Sequence, residues 1–302
     1  IRKNSAVANN VRFSQGFQEI SVESEHKDST AGNNLVVKLK DVNIGDFTSL
    51  VIKSPTLEGI ANGKIFLRDF YGSFNAAAEI DATQFRLDND SVGHVTIHST
   101  FSKESGKIEW NVLSDNEQFG INAKGFYDLK DSLKKPLYTT IQLNHTRIGF
   151  LNRFLSTIFS DLDGFATGNL VMQGAPNSPI ITGDAMLTEA ALTVNYTKVR
   201  YNVDSALIHF TNSSIDFGNL TIRDRYNNTA KIKGILYETG FKNMRYDFDM
   251  STAKLLLLDT KPKDNQQFYG KAIGKATMSI KGPQENMRMS ITGEVNDTTH
   301  IY

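Results

Sequence analysis

The chain contains no cysteine. That excludes disulfides, thiolate metal centres and thiol nucleophiles, and leaves the redox compartment open. Excess charge is missing too: thirty-three basic residues balance thirty-three acidic ones. Such a balance argues neither for a nucleic-acid partner nor for electrostatic docking on an anionic membrane. No apolar run approaches the roughly 20 residues that a membrane-spanning helix needs, and no secretory leader is recognisable. The chain opens on Ile1, so a fragment is expected, with targeting or anchoring segments outside it. Proline is scarce, at six of 302 residues, whereas the 22 glycines are placed with regularity.

The most regular stretch runs from Gly164 through Gly168 and Gly174 to Gly183, with Pro176 and Pro179 at its middle. Its apolar segments end where Gly and Pro begin, the signature of strand, turn, strand. The opening Gly-x-x-x-Gly recurs: Gly59/Gly63 precede Gly164/Gly168 by 105 positions, and Gly270/Gly274 follow them by 106. The flanks agree, with Ile44-Gly45 and Leu57-Glu58 matching Ile148-Gly149 and Leu162-Asp163. A period that long is a block of several strands, so the chain reads as an array of about three repeats of ~105 residues.

Between the glycines, apolar and polar residues alternate. Val95 and Ile97 interleave with His94, Thr96 and His98; Ile108, Trp110 and Val112 with Lys107, Glu109 and Asn111. Tyr246, Phe248 and Met250 interleave with Arg245, Asp247 and Asp249, and Met287, Met289 and Ile291 with Arg288 and Ser290. Period-2 alternation gives strands with one wet and one apolar face, the habit of antiparallel sheets. The fold class is therefore all-β. Residues 1–34 are polar, with one strand expected at Phe17–Val22, and read as a loosely ordered leading segment. Residues 35–140 form a first β repeat block and residues 141–302 a second region.

One segment departs from alternation. Leu151, Phe154, Leu155 and Ile158 fall at helical spacing within Ile148–Phe159, predicting an amphipathic helix of about three turns. Two nearby cations, Arg147 and Arg153, are thin for a membrane-surface anchor, so a plug against the sheet end is expected. Residues Asp46 to Leu57 are a weaker helical candidate at the matching place in the first repeat.

Catalytic and metal-binding patterns are sparse. His94 and His98 lie on a strand, where four residues span about 13 Å, too far for one ion. Asp88-Asn-Asp90 begins like a calcium loop but has Val92 and Ser99 where ligands are needed, so a turn is expected. Asp247 and Asp249 are expected to be solvated on an outward face. The chain has no Gly-x-Ser-x-Gly elbow, phosphate loop or His-Glu-x-x-His. No enzyme, cofactor or metal site is expected.

The run Leu162-Asp-Gly-Phe-Ala-Thr-Gly168-Asn-Leu-Val-Met-Gln-Gly174-Ala-Pro-Asn-Ser-Pro179-Ile-Ile-Thr-Gly183 resembles the hallmark of TamB proteins and the wider AsmA-like group. Val194-Asn-Tyr196, Ile222-Arg-Asp224, Lys233-Gly-Ile-Leu-Tyr237, Leu255–Thr260, Phe268-Tyr-Gly270 and Gly282-Pro283 are similar to the carboxy-terminal region of Bacteroidetes-type members. The resemblance covers residues 140–302 well and is looser before. It implies an elongated, curved antiparallel sheet, folded like a taco around an apolar groove, with short amphipathic helices between repeats. It further implies a periplasmic location in a Gram-negative bacterium, an inner-membrane anchor outside this fragment and a BamA-like outer-membrane barrel as partner. The implied role is shielding phospholipid acyl chains between the membranes; the older alternative is barrel assembly by strand pairing.

On that reading the groove is lined by Val95, Ile97, Ile108, Trp110, Val112, Leu170, Met172, Leu192, Val194, Phe210, Phe248, Met250, Met278, Ile280, Met287 and Met289. Flexible thioethers suit disordered chains, and suit an ordinary packed core equally. A filled sandwich core therefore stands beside the groove as a reading of the same alternation.

Overall fold

A computed structural model describes residues 7–25, 34–49, 56–88, 90–131, 135–156, 159–239, 242–266, 268–297 and 299–302. The chain is all-β and divides into two compact units: residues 1–142 with 172–176, and residues 143–171 with 177–302.

The first unit is a meander in which each strand pairs antiparallel with the next. Its strands are β1 (Val11–Gln15), β2 (Gln18–Ser24), β3 (Leu35–Asn43), β4 (Leu57–Arg68), β5 (Asn75–Leu87), β6 (Asp90–Ser102), β7 (Lys107–Asn116) and β8 (Phe119–Asp128). β9 (Leu137–Arg147) begins in this unit. Local chemistry makes the turns. Gly16 takes φ 61° between β1 and β2. Asn116 Oδ1 accepts the Gln118 N–H at 2.8 Å between β7 and β8, an Asx turn. Asp88, in the calcium-like stretch, makes a turn after β5 with left-handed φ 54°, and its Oδ1 accepts the Thr56 N–H at 2.9 Å. Of the leading segment, residues 7–25 and 34 are described. Val11, Phe13, Ile20 and Val22 alternate in register across a β1–β2 hairpin that pairs onward with β3.

The second unit holds β10 (Phe159–Ala175, except its last residues), β11 (Ser178–Val194), β12 (Val199–Val203), β13 (Ala206–Phe210), β14 (Ser214–Arg223), β15 (Thr229–Thr239), β16 (Lys242–Thr260), β17 (Gly270–Pro283), β18 (Arg288–Val295) and β19 (His300–Ile301). β12 and β13 are two halves of an interrupted strand, each paired on one side with β11 and on the other with β14. From β14 to β18 the antiparallel order is again sequential.

The expected three-turn helix is shorter. A 3-10 turn at Gly149–Leu151 leads into one α turn, α2 (Asn152–Leu155), and β10 begins at Phe159; Ile158 lies outside the described residues. The Asn152 side chain explains the early stop. Its amide donates to the Leu162 carbonyl at 3.0 Å and accepts the Leu162 N–H at 2.8 Å, which draws the chain back into the sheet. Ile148 is buried with Ala166 and Ala190, and Leu151 packs beside them. In the first unit the weaker candidate is one helical turn, α1 (Ile44–Thr48), earlier than expected; residues 50–55 lie outside the described set.

The strand, helical turn, strand block therefore occurs at β3–α1–β4 and again at β9–α2–β10. The backbone irregularities recur with it. Asp41 and His145 both take left-handed φ near 50°, as do Gln84 and Glu189, and each pair is separated by almost the repeat length. Among the described residues, no helical turn precedes Gly270 as α1 and α2 precede Gly59 and Gly164.

The repeated glycines have one physical cause. A Cβ on Gly63 would collide with the Glu79 carbonyl, on Gly168 with that of Asp184, and on Gly274 with that of Glu294. In each copy the second glycine lets a partner backbone approach too closely for any side chain.

Candidate functional site

Cross-strand register assembles the apolar residues of the first unit into rows on one face. One row runs Phe13, Ile20, Leu39, Gly63, Ile80, Ile97, Val112, Ala123, crossing β1 to β8. Beside it run Val11, Val22, Val37, Ile65, Ala78, Ser99, Trp110, Gly125, and then Leu35, Leu67, Ala76, Phe101, Ile108, Tyr127. On the far side is the row Val42, Ala61, Ala82, Val95. Five lining candidates of this unit, Val95, Ile97, Ile108, Trp110 and Val112, thus share the face. The opposite face carries Lys38, Lys64, Glu79, His98, Asn111 and Lys124 in register.

Burial across this face is graded. The row of Val42, Ala61, Ala82 and Val95 is buried. The larger side chains Ile80, Ile97, Phe101, Ile108, Trp110 and Val112 are half-buried, and Phe13 is 64% exposed. Side chains filling a closed core are packed on all sides. These are packed laterally by their neighbours in the sheet and keep part of their surface free.

The second unit continues the alternation but handles it differently at its two ends. At one end Gly234, Phe248, Ile280 and Met289 form a row beside Leu220, Ile232, Met250, Met278 and Ile291. Phe248, Met250, Met278 and Ile280 are half-buried, and Met289 is exposed. The Phe248 ring lies 5.6 Å from Phe217. Phe210 sits opposite Ile215 in the adjoining row and opposite Gly183, which in turn faces the Leu170 backbone. Met287 stands just before β18 and is exposed. Met172, half-buried, falls within the first unit.

At the other end the face is filled. Val199, Tyr201, Ile222, Ala230, Leu255, Leu256 and Ile273 form a buried cluster, with Leu192, Val194 and Met250 packed against it. β16 reaches β12 there because its pairing with β17 slips twice, between Thr252 and Leu255 and between Leu256 and Leu258. Bulges of this kind bend the strand and sharpen its twist.

A buried carboxylate fastens that end. Asp224, 1% exposed, accepts the N–H of Tyr226 at 2.8 Å, of Asn228 at 3.0 Å and of Leu256 at 2.7 Å, and the Asn228 side-chain amide at 2.9 Å. Burial pushes its pKa up, but the donated hydrogen bonds outweigh that and hold the carboxyl below its ordinary range. Tyr201 donates to the Leu256 carbonyl at 2.7 Å, and burial, with the Asp224 charge adding, pushes its phenol pKa up.

The polar face carries ion pairs and two hollows. Asp247 and Asp249, expected to be merely solvated, are bridged by Lys281 at 2.5 and 2.7 Å. His94 and His98 both lie on β6, and His94 pairs with Asp81 at 3.4 Å. A hollow of about 540 Å³ is lined by Asn219, Lys231, Lys233, Asp249, Ser251 and Thr277, and a smaller one by Phe66, Arg68, Asn75 and Thr100. Among the described residues no cluster of three or more His, Asp or Glu could hold a metal.

Sequence reasoning missed Phe13, Ile20, Leu39 and Ile80, although each alternates with polar neighbours as plainly as the residues it chose. It also missed Phe217, which lies inside the register shift between Asp216 and Asn219, next to Gly218 at φ 58°. No family model, curated protein or solved structure matches this chain.

Proposed function

We propose that the apolar face is a lipid groove, and that the chain is a periplasmic β-groove segment of a TamB-like protein shielding phospholipid acyl chains between inner and outer membrane. The observation that carries this reading is that large apolar side chains aligned in cross-strand register, from Phe13 to Val112, are left half-buried or exposed. Soluble proteins rarely leave so large a contiguous apolar surface without an occupant. Each acyl methylene buried there contributes about 0.8 kcal/mol, and the contact is non-directional, so a chain can slide without a fixed pose. The headgroup stays in water. No covalent step is involved, so the role is transport and not catalysis. On this account a BamA-like barrel receives the lipid.

The test is native mass spectrometry with lipid extraction on protein purified without detergent, beside a Phe248→Asp variant. Co-purified phospholipid at defined stoichiometry, lost from a folded variant, supports the groove. A clean apo mass, or an unfolded variant with no lipid on the wild type, places Phe248 in an ordinary core and removes the reading.

A second reading has an observation of its own. All five residues of β1 are exposed, and β1 pairs with β2 on one side. Pairing of β1 with a nascent barrel strand by β-augmentation is the assembly role. Peptide capture that survives charges on the apolar face would favour it.

A further inference from the structure

We propose that the hollow on the polar face of the second unit binds an acidic oligosaccharide, laid across the strands from β14 to β18. The site lies on the face opposite the apolar rows and does not depend on whether those hold lipid. The hollow, of about 540 Å³, is a trough lined along its middle by Ile232, Met250 and Met278. Side chains alternate along a strand, so these three turn theirs to the apolar face and floor the trough with backbone. Cross-strand register sets the walls. One carries Lys231, Ser251, Thr277 and Thr292, and the other Lys233, Asp249, Ser279 and Ser290.

The donors that converge here are unspent. Neither Lys231 nor Lys233 is ion-paired among the described residues. The carboxylate on the wall is already taken, because Lys281 holds Asp249 at 2.7 Å and Asp247 at 2.5 Å. The hydroxyls of Ser251, Thr277, Ser279, Ser290 and Thr292 make no hydrogen bond within the described protein. Strand hydroxyls elsewhere behave otherwise. Thr252 bonds the Thr229 carbonyl at 2.7 Å, Ser99 that of Glu109 at 2.9 Å and Thr140 that of Lys124 at 3.1 Å.

The spacing of these groups selects the ligand. Residues two apart on one strand are separated by about 7 Å, so Lys231 and Lys233 flank the trough from opposite walls and can share one carboxylate. Successive strands follow at about 4.8 Å, close to the span of one pyranose unit in an extended chain. Each strand crossed by such a chain therefore offers its hydroxyls fresh partners that both donate and accept. None of the lining side chains is aromatic, which removes the stacking that holds the bases of a nucleic acid. No apolar pocket opens between the walls for a peptide side chain.

Isothermal titration of the full chain tests the proposal with a short oligogalacturonate, a neutral oligosaccharide of equal length and a single-stranded oligonucleotide of equal charge. The acidic sugar is expected to bind about tenfold more tightly than the neutral one. The double variant Lys231→Gln/Lys233→Gln is expected to remove that margin, whereas Lys124→Gln, at an exposed position on β8, leaves it intact. Thr277→Val keeps the size of the side chain, deletes its hydroxyl and weakens both sugars alike. Absence of oligogalacturonate binding overturns the proposal. So does a margin that survives the double lysine variant, or an oligonucleotide that binds as tightly as the acidic sugar.

Discussion

Each unit has an apolar face built on alternating strands, and the two faces end up in different states. Across β5 to β7, Ile80, Ile97, Trp110 and Val112 remain half-buried. Around β12 and β16, Val199, Tyr201, Leu255 and Leu256 are sealed in. The difference does not come from hydrophobicity residue by residue. It comes from Leu255-Leu-Leu-Leu258, a continuous apolar run that abandons alternation, from the two register slips beside it, and from Asp224 gripping the Leu256 N–H. Period-2 alternation makes an apolar face; a bulged strand pinned by a buried acid closes one.

The sharpest break of that comparison is truncation on each side of it. Leu255, with no exposed surface, is expected to cost roughly 2–5 kcal/mol on Leu255→Ala, because the removed atoms leave a cavity. Ile97→Ala is expected to cost clearly less, since its side chain is already partly in water. Urea unfolding of both variants measures the gap, and equal losses would mean that the first unit's face is as filled as the second's.

A smaller effect isolates the fastening carboxylate. At neutral pH Asp224→Asn is expected to cost about 2 kcal/mol, the order of one hydrogen bond to a charged group. The native carboxyl titrates below its unfolded counterpart. Its stabilisation is therefore complete above the unfolded pKa, about 3.9, and is lost as pH falls through the lower native value. Wild type and variant should consequently converge in stability at acid pH. Parallel curves down to the acid limit would show that Asp224 acts through shape alone.

How much of this was legible in the sequence follows from the same contrast. Alternation at Val95/Ile97 and Ile108/Trp110/Val112 is a local signal, so both the strands and the shared face could be read directly. The second glycine of each Gly-x-x-x-Gly pair was visible as a repeat because a close backbone approach leaves no choice of residue. Whether a face is open or filled was not legible. That depends on slips between Thr252 and Leu258 and on a bond between Asp224 and Leu256, 32 residues apart in sequence. The helix was overestimated for a related reason: Leu151, Phe154, Leu155 and Ile158 have helical spacing, yet the Asn152 amide finds better partners on Leu162. Lys281 between Asp247 and Asp249 was likewise hidden by sequence distance.

The absence of cysteine allows the central claim, that the first unit's apolar face is open and holds lipid whereas the second unit's buried cluster does not, to be measured directly. Single Ile97→Cys and Ile273→Cys variants can be reacted with a maleimide in the folded state, with and without added phospholipid. The account predicts that the thiol at position 97 reacts readily and that phospholipid slows it several-fold, while the thiol at 273 stays unreactive throughout. An inert thiol at 97, or a rate there that phospholipid leaves unchanged, would contradict it.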